Sequence, residues 1–371
     1  MHGDFSGLRP GPFKSRKLPI SFCHPFYHHD VHICCVFGFE LDSSSGKAGR
    51  RSGKVKKLAI VVTTYKRNEL LEKLLESIKS EKPWMVVLVD NDPEGGAKDL
   101  SLSFKKEMEE KGVEVKYERQ KENTGGAGGF FAGVKSAYEL GAEWFWLMDD
   151  DVRILPGALE RLSKWEKKSP MIQGSRLNSD GTPFYWQYRF IVPLAVPNPF
   201  AAKDCAPFKA ANTCCFEGVL VKRSLVEKIG FPDPRFFIYW DDTTYGYLAS
   251  KACQPIVVPD LILQRTRSIN NLKLKGNRRL NSTSDLNRYY IMRNRGFMMR
   301  YLSLFGDYDP LLFGLGTFFT FLKEMVRITV LDRRLKALPP LIKGWVDSRK
   351  VMKDRSWKPA RAEQKSILGK R

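Results

Sequence analysis

Three adjacent carboxylates, Asp149, Asp150 and Asp151, directly follow the apolar run over residues 144–148. Neighbouring carboxylates repel one another, and this repulsion destabilises a fold unless a cation compensates for it. Mg²⁺ and Mn²⁺ prefer oxygen ligands and are commonly shared between one or two carboxylates and the phosphates of a substrate. The triplet therefore favours a site for a metal-bound diphosphate over a solvated acidic turn.

A second acidic pair, Asp241 and Asp242, follows a run of aromatic residues that ends in Trp240. A carboxylate held in a partly dry pocket could act as a general base toward a hydroxyl group. An aspartate in this position could instead cap the helix that the sequence predicts over residues 243–252. Both interpretations can hold, one for each of the two neighbouring residues.

Four glycines lie within residues 125–129, in the string Asn123-Thr-Gly-Gly-Ala-Gly-Gly-Phe130. Glycine lets the backbone approach a ligand closely, at an entropic cost that an ordinary loop need not bear. The spacing is not G-x-G-x-x-G, because Phe131 stands where the third glycine would be, and the Gly-Lys-Ser/Thr ending of a Walker A loop is absent. The segment therefore disfavours a dinucleotide-dependent oxidoreductase.

Two further polar segments follow apolar runs. Residues 63–67 end in Arg67 and precede a predicted helix, so backbone donors and a guanidinium could bind a diphosphate there. A helix cap with a solvated arginine fits the same residues. Asp90, Asn91 and Asp92 follow the second apolar run and could hydrogen-bond a base or a ribose, although they could also form a turn before Pro93.

The elements that must position these residues alternate between strand and helix. Continuous apolar runs predict buried strands at 58–62, 85–89, 113–117 and 144–148. Helical periodicity predicts helices at 68–79, 97–111 and 127–140. This alternation favours an α/β fold with a mostly parallel sheet covered by helices. Ligands of such sheets bind at the carboxyl ends of the strands, which is where the polar segments of this chain lie.

Taken in order, these residues resemble the family 2 glycosyltransferases of GT-A (Rossmann-like) fold, and within them the galactofuranosyl- and rhamnosyltransferase branch. The resemblance covers roughly residues 58–300, and its most specific part is the asparagine–glycine string together with the triple aspartate. The motifs that carry it are Val-Val-Thr-Thr-Tyr-Lys-Arg67, Val-Asp-Asn91, Asn123-Thr-Gly-Gly-Ala-Gly-Gly-Phe130, Met148-Asp-Asp-Asp151, Trp240-Asp-Asp242, and Tyr289-Tyr290 leading to Arg293-Asn294.

The resemblance implies an inverting transfer of a galactofuranose- or rhamnose-type sugar from a UDP- or dTDP-sugar to a hydroxyl of a lipid-linked or cell-surface glycan. Mn²⁺ or Mg²⁺ would stabilise the leaving diphosphate, while a carboxylate on the opposite face takes the acceptor proton. Asp242, beside Asp241, is the implied base, and Asp149 and Asp151 are implied metal ligands. The implied nucleotide-sugar-binding residues are Thr63, Tyr65, Arg67, Asp90, Asn123, Gly125, Gly126, Asp149, Asp150 and Trp240.

The sequence departs from the family at the metal. A metal-binding histidine usually follows the strand after the Trp-Asp-Asp helix, but no histidine occurs here after His32. Gln264 could coordinate the metal through its amide oxygen, or Arg265 could offset phosphate charge in place of tighter metal binding. Two other functions stay open: a sugar-phosphate nucleotidyltransferase, and a catalytically inactive module that binds sugar or nucleic acid.

Charge divides the 371-residue chain unevenly. Residues 58–260 hold 27 basic and 29 acidic side chains, whereas residues 261–371 hold 25 basic and 8 acidic ones, and the whole chain has a net charge of +21. We expect a disordered or non-native tail over 1–57, a GT-A domain over 58–275 and a basic helical extension over 276–371. The histidines and cysteines of the tail lack the paired spacings of a zinc finger.

The apolar segment over residues 311–322 is too short to span a bilayer and suits an interfacial helix. Because basic residues follow it, we expect peripheral attachment to anionic lipid at the cytoplasmic face of the cell membrane. Seven cysteines, an odd number that includes two adjacent pairs, suit a reducing compartment. Nucleic acid is a poor partner because no RRM, KH or helix-turn-helix pattern is found, and a homo-oligomer stays open.

Overall fold

The structure is a computed structural model, and it describes residues 57–184, 188–198, 207–268, 271–273, 279–281 and 283–368. The tail predicted over residues 1–57 therefore lies outside the described residues, except for Lys57. The strands are β1 (Leu58–Thr64), β2 (Met85–Asp90), β3 (Glu114–Arg119), β4 (Trp144–Asp149), β5 (Val152–Ile154), β6 (Met171–Leu177), β7 (Phe190–Ile191), β8 (Val196–Pro197), β9 (Lys209–Ala210), β10 (Val219–Lys222), β11 (Ile256–Arg265), β12 (Asn271–Lys273) and β13 (Arg279–Asn281).

Helices cover most of the remaining described residues. They are α1 (Asn68–Ile78), α2 (Lys98–Glu110), α3 (Gly125–Leu140), α4 (Ala158–Ser163), α5 (Arg223–Ile229), α6 (Asp241–Ala252), α7 (Asp285–Arg293), α8 (Arg295–Leu304), α9 (Pro310–Val326), α10 (Leu338–Lys353), α11 (Ala360–Glu363) and α12 (Lys365–Leu368). Short helical turns lie at Pro234–Phe236, Arg327–Leu331 and Leu335–Ala337. Helices α7 and α8 meet at Asn294.

The central sheet has the strand order β3-β2-β1-β4-β10-β6-β11-β5, with β9 paired to β11. Its first four strands run parallel, so that Val61 lies opposite Val87 on one side and Leu147 on the other. Strand β10 is antiparallel to both of its neighbours, β4 and β6, whereas β6 and β11 run parallel to each other. The α/β fold with helices flanking a parallel sheet, followed by a helical C-terminal region, is confirmed.

The core lies in two layers, one on each face of the sheet. Every residue of β1 is buried, and because successive side chains of a strand point to opposite faces, Ile60 packs on one layer and Val61 on the other. Helices α1 and α2 cover the first layer through residues such as Leu71 and Phe104, and α3 covers the second through Phe130. The sheet is therefore fixed in place, and its carboxyl edge becomes a rigid platform.

The glycines of α3 bring that helix close to the sheet. A Cβ atom on Gly133 would lie 2.4 Å from Cγ1 of Val61, and one on Gly129 would lie 2.1 Å from Oγ1 of Thr63. Larger residues at either position would push α3 away from the strands that it covers. Part of the glycine string thus serves packing between helix and sheet rather than contact with a ligand.

The C-terminal helices pack onto the same unit, because the described part of the chain from residue 57 onward is one compact unit. Asn294, fully buried between α7 and α8, donates its side-chain amide to the carbonyls of Phe236, Ile238 and Tyr239 at 2.8–2.9 Å. These carbonyls belong to the loop that precedes Asp241. Among the described helices, none combines the length and the apolar character that crossing a bilayer requires.

Candidate functional site

Asp149 and Asp151 stand at the carboxyl end of β4, on either side of the turn into β5. Burial raises the pKa of Asp149 well above its ordinary value, and the charges of Asp151 and Glu217 raise it further. No group in the described part of the chain donates a hydrogen bond to the Asp149 carboxylate. Negative charge at this position is therefore poorly compensated by the protein.

Asp150, the middle residue of the triplet, turns into the protein. It is fully buried, and its carboxylate accepts hydrogen bonds from Thr64 Oγ1 at 2.6 Å and from Arg67 Nε at 3.1 Å. Burial raises its pKa to about 6, although Arg67 and Thr64 oppose that shift. The expectation that Asp150 binds the donor sugar stays a prediction, and in this structure its oxygens hold Arg67 in place.

Arg67 lies against the aspartates instead of standing alone at the start of α1. Its guanidinium forms ion pairs with Asp150 at 2.7 Å and with Asp151 at 3.3 Å, and its side chain is one-third exposed. Burial lowers the pKa of Arg67, but the three aspartates raise it more, so the net shift is upward. The guanidinium offsets part of the negative charge of the triplet while keeping one side open to solvent.

The two outer aspartates fit a divalent cation, because the charge of Asp151 acts on Asp149 and none of the described groups donates a hydrogen bond to the Asp149 carboxylate. They would supply two oxygen ligands, and phosphates and water would supply the rest, as is usual for Mg²⁺. The described residues contain no group of three or more His, Cys, Asp or Glu side chains placed to hold a metal ion. A cation here would therefore depend on the substrate for much of its coordination.

The assignment of Gln264 as a weak metal ligand stays a prediction, and in this structure its amide contacts other groups. Its amide oxygen accepts hydrogen bonds from Arg153 Nε at 3.1 Å and Nη2 at 2.5 Å. Its amide nitrogen donates to the carbonyls of Asn178 and Ser179. Adjacent residues of a strand point to opposite faces, and it is Arg265 whose side chain points toward the acidic site.

A buried cluster of Arg176, Glu217 and Arg265 lies next to the aspartates. Arg265 donates to both oxygens of Glu217, at 2.7 and 2.6 Å, and Arg176 forms an ion pair with Glu217 at 2.9 Å. Burial alone would raise the pKa of Glu217, but the two arginines lower it below its ordinary value. Both guanidiniums also lie over the ring of Phe184, with their carbons 4.6 and 4.0 Å from its centroid.

Sequence reasoning missed Arg176 and Glu217 and raised Arg265 only as an alternative. A usable signal existed, because Arg176 is the one charged residue in the otherwise neutral strand β6. The cluster connects the two acidic parts of the site. The charge of Glu217 adds to the rise in the pKa of Asp149, whereas the charge of Arg176 opposes the rise that burial causes in the pKa of Asp242.

Asp241 and Asp242 open helix α6 and are half-buried. Asp242 Oδ1 accepts hydrogen bonds from the backbone N–H of Thr243 at 2.5 Å and from its hydroxyl at 3.2 Å. Burial raises the pKa of both carboxyls, and the charge of Asp242 raises that of Asp241 further, to about 8. The pair as a whole therefore favours binding one proton at neutral pH, with Asp241 the more basic of the two carboxyls.

The loop before this pair has a strained backbone. Phe237, Tyr239 and Trp240 adopt φ angles of 65°, 67° and 66°, a region that side chains other than glycine rarely occupy. Neighbouring helix α7 holds the loop, since Phe237 stacks on Tyr290 at 4.7 Å and Trp240 Nε1 donates to the carbonyl of Ile291 at 2.9 Å. Trp240 is thus placed directly at the carboxylate pair.

The start of α3 contacts the same loop. The N–H of Ala127 donates to the carbonyl of Phe237 at 3.0 Å, and the Asn123 side chain accepts from the N–H of Gly125 at 2.9 Å. Gly125 has a φ of +69°, and a Cβ there would lie 2.2 Å from the carbonyl oxygen of Phe237. Around Gly126, by contrast, nothing lies within 4 Å of an added Cβ, so its backbone faces open space.

The remaining predicted residues lie at the ends of β1 and β2. Asp90 is buried, and its carboxylate accepts from the N–H groups of Asp92 and Ala97 and from the Tyr117 hydroxyl. An ionised carboxylate has about four acceptor positions, so one stays free for a further donor. Thr63 accepts from the Asn91 amide at 2.9 Å, and Tyr65 is 40% exposed.

Gly246 in α6 offers a test of how closely this helix must lie to the loop that contains Thr213 and Cys214. A Cβ there would lie 2.1 Å from the Cys214 backbone nitrogen. We expect Gly246→Ala to lower the free energy of unfolding by about 1–3 kcal/mol, because backbone atoms must move. Chemical denaturation measures this loss. Gly314→Ala is the matched control, since nothing lies within 4 Å of its added Cβ. A loss equal in both variants would contradict the packing argument.

The geometry and the matches to known proteins point to one class. Residues 59–230 match the family model described as "Glycosyl transferase family 2". Galactofuranosyltransferase GlfT1 of Mycolicibacterium smegmatis is 30% identical over 200 residues, which cover 49% of this chain and 61% of that protein. GlfT1 of Mycobacterium tuberculosis is 29% identical over 49% of this chain and 60% of its own length. This part of the chain is therefore similar in sequence to the galactofuranosyltransferases.

A solved structure agrees with the fold. Staphylococcus aureus TarS, residues 1–349, superposes with a TM-score of 0.50 over 81% of this chain and 82% of that chain, at 14% identity. This similarity bears on the fold alone. The chain spans about three fifths of the length of the curated relatives that it matches.

Proposed function

We propose that this chain transfers a sugar from a nucleotide-sugar donor to a hydroxyl group of a glycan. One observation carries the proposal: two separate acidic groups, Asp149 with Asp151 and Asp241 with Asp242, adjoin the same Arg176–Glu217 ion pair, and burial raises the pKa of Asp149, Asp241 and Asp242. The first pair suits the diphosphate end of a donor. The second suits the removal of a proton from an acceptor.

The transfer proceeds with inversion, by a single displacement. Asp149 and Asp151 would hold Mn²⁺ or Mg²⁺, which when bound offsets the charge that develops on the leaving diphosphate. Arg67 lies beside these carboxylates and is partly exposed, so it supplies additional positive charge. Thr243 orients one carboxylate oxygen of Asp242, and Asp242 takes the proton of the acceptor hydroxyl. The hydroxyl oxygen attacks the sugar at the same time, and the diphosphate leaves.

The nucleotide lies along the ends of β1 and β2. Asp90 has one acceptor position left for a base N–H, and Tyr65 is exposed enough to stack on the base. Thr63, Asn123, Gly125 and Gly126 border the donor, and the open backbone at Gly126 permits the closest approach. Trp240 lies at the sugar. The name of the curated relatives supports a galactofuranose-type donor sugar. We propose that this sugar is linked to UDP, with a dTDP-linked rhamnose as the other candidate, and that the acceptor is a lipid-linked or cell-surface glycan.

The direct test is calorimetric titration of UDP and of dTDP, each with Mn²⁺ and with EDTA. We expect binding that requires the metal in the wild type and is lost in Asp151→Ala, because one of two protein ligands is gone. Asp99→Ala, an exposed aspartate in α2, is the matched control and should bind normally. If neither nucleotide binds under any condition, the donor site is refuted. If one of them binds more tightly, it identifies the nucleobase of the donor.

The proton on Asp241 gives a pH prediction. Because Asp241 keeps its proton up to about pH 8, Asp241→Asn imitates the state present at neutral pH. We expect the activity of this variant at pH 7 to stay within about tenfold of the wild type. The change in kcat/KM that ionisation of Asp241 causes between pH 7 and pH 9 in the wild type should be absent from the variant. The measurement is kcat/KM against pH for both proteins. A thousandfold loss at pH 7 would show that Asp241 itself acts as the base.

A further inference from the structure

The outward face of helix α9 is apolar along nearly its whole length. Leu311, Leu315, Phe318, Phe319 and Leu322, named here the α9 face, are between 43% and 81% exposed. The first charged residue of α9 is Lys323, near its end. A helix at a protein surface normally directs polar residues to solvent, and contiguous exposed apolar patches mark interaction sites.

Two threonine hydroxyls of α9 point inward, where they bind a buried arginine. Arg295 is fully buried, and its guanidinium donates to the hydroxyls of Thr317 at 2.7 Å and Thr320 at 3.2 Å. It also donates to the carbonyls of Leu194 at 3.0 Å and Ala195 at 2.8 Å. Helix α9 is thus inverted, with hydroxyls inside and large apolar side chains outside.

This orientation is fixed by tight packing. A Cβ atom on Gly316 would lie 1.8 Å from the Leu194 carbonyl oxygen, so the buried side of α9 touches the backbone of that loop. Further along the same side, Glu324 is buried and forms an ion pair with Arg327. Rotating the helix to hide the α9 face would break all of these contacts, so the face stays exposed.

The apolar surface continues onto α10. The ring of Phe321 in α9 packs on Trp345 in α10 with centroids 4.9 Å apart. Ile342 and Val346, which flank Trp345 in sequence, are each 50% exposed. The surface therefore spans two helices and is larger than a single stripe.

Positive charge adjoins this surface. Residues 310–355 contain ten basic and four acidic side chains, a net charge of +6. Arg333 and Lys336 are exposed in the turn after α9, and the guanidinium of Arg349 lies 5.9 Å from the ring centroid of Trp345. A second copy of this surface would bring like charges together, whereas an anionic partner would be attracted.

We propose that the α9 face, with its basic border, docks onto a bilayer that contains anionic phospholipid. A helix of 17 residues is about 25 Å long and lies along the membrane surface, with apolar side chains among the acyl chains and lysines and arginines at the headgroups. This inference does not depend on the proposed transferase activity, since it uses none of the residues of that site.

Vesicle sedimentation tests the docking. With vesicles of phosphatidylcholine that contain about one third phosphatidylglycerol, we expect the wild type to bind, and to bind less to phosphatidylcholine alone. The double variant Phe318→Glu and Leu322→Glu should lower the partition coefficient at least about tenfold. Leu102→Glu, on helix α2 and 43% exposed, is the matched control and should bind like the wild type.

Two results would overturn the proposal. One is equal binding of the double variant and the wild type, with thermal melting showing that both are folded. The other is no vesicle binding by the wild type together with self-association in sedimentation velocity that the double variant loses, which assigns the face to a second copy. As an independent measurement, Phe318→Trp should shift its fluorescence to shorter wavelength on anionic vesicles, and an unchanged spectrum would contradict insertion.

Discussion

Asp242→Asn is expected to lower kcat by about 10²–10⁴-fold while leaving the affinity for the nucleotide unchanged. The amide keeps the size of the side chain and can still accept a hydrogen bond from the N–H of Thr243, which lies 2.5 Å from Asp242 Oδ1. It cannot take the proton of the acceptor hydroxyl. Steady-state kinetics with a nucleotide-sugar donor, combined with calorimetric titration of the nucleotide, separates the two effects.

The matched control for this prediction is Asp241→Asn, the same substitution one residue earlier. Because Asp241 holds a proton at neutral pH, we expect only a small effect on its rate at pH 7. If both variants lose activity equally, the pair acts as a unit and Asp242 is not the sole base. A loss of nucleotide affinity in Asp242→Asn would place this residue in the donor site instead.

Glu217→Gln is expected to lower the free energy of unfolding by about 3–5 kcal/mol, because it leaves Arg176 and Arg265 buried without their shared counter-charge. The lowered pKa of Glu217 sets the pH range of the effect. Its contribution is fully present above the ordinary value of 4.5 and is lost as the pH falls through the lower pKa of the folded state. Urea denaturation at pH 7 measures the difference.

Glu227→Gln provides the matched control, since Glu227 also pairs with an arginine but is 44% exposed. An exposed pair of this kind contributes only about 0.3–0.5 kcal/mol. If the two substitutions cost the same, burial of the Glu217 cluster is not what makes it important. Glu217→Gln should also reduce the rate of transfer, because Arg176 and Glu217 influence the pKa values of Asp242 and Asp149.

The parts of the fold that sequence predicted are those encoded locally. Strand β1 is a continuous apolar run because both of its faces are covered, and α1 shows its period because one side packs on the core. The acidic triplet ends β4, as its position after an apolar run indicated. Each of these features is contained within about ten neighbouring residues.

The Arg176–Glu217–Arg265 cluster could not be predicted in the same way, because its members come from distant segments. Arg176 belongs to β6, Glu217 precedes β10 and Arg265 ends β11, and β10 lies antiparallel between β4 and β6. Nothing in the local pattern reveals that order. Only the assembled sheet brings the three charges together.

The directions of the Gln264 and Arg265 side chains could not be predicted from the sequence for a related reason. Counting alternate residues along a strand assigns the faces only if the strand is regular. The pairing of β11 with β6 shifts register between Val257 and Leu261 and again between Leu261 and Leu263. These irregularities change which residues face the site, so that Gln264 reaches Arg153 while Arg265 reaches Glu217.

The three residues with positive φ angles before the acidic pair set stability against catalysis. Glycine at Phe237, Tyr239 or Trp240 would relieve backbone strain of about 1–3 kcal/mol at each position. Glycine would also remove an aromatic ring at each position. At Phe237 this removes the stacking on Tyr290, and at Trp240 it removes the hydrogen bond to the Ile291 carbonyl, and both contacts hold the loop. A library of variants of this protein that is selected only for thermal stability would therefore accumulate glycine at these positions and lose catalytic rate. Selection for turnover would keep the strained aromatic residues.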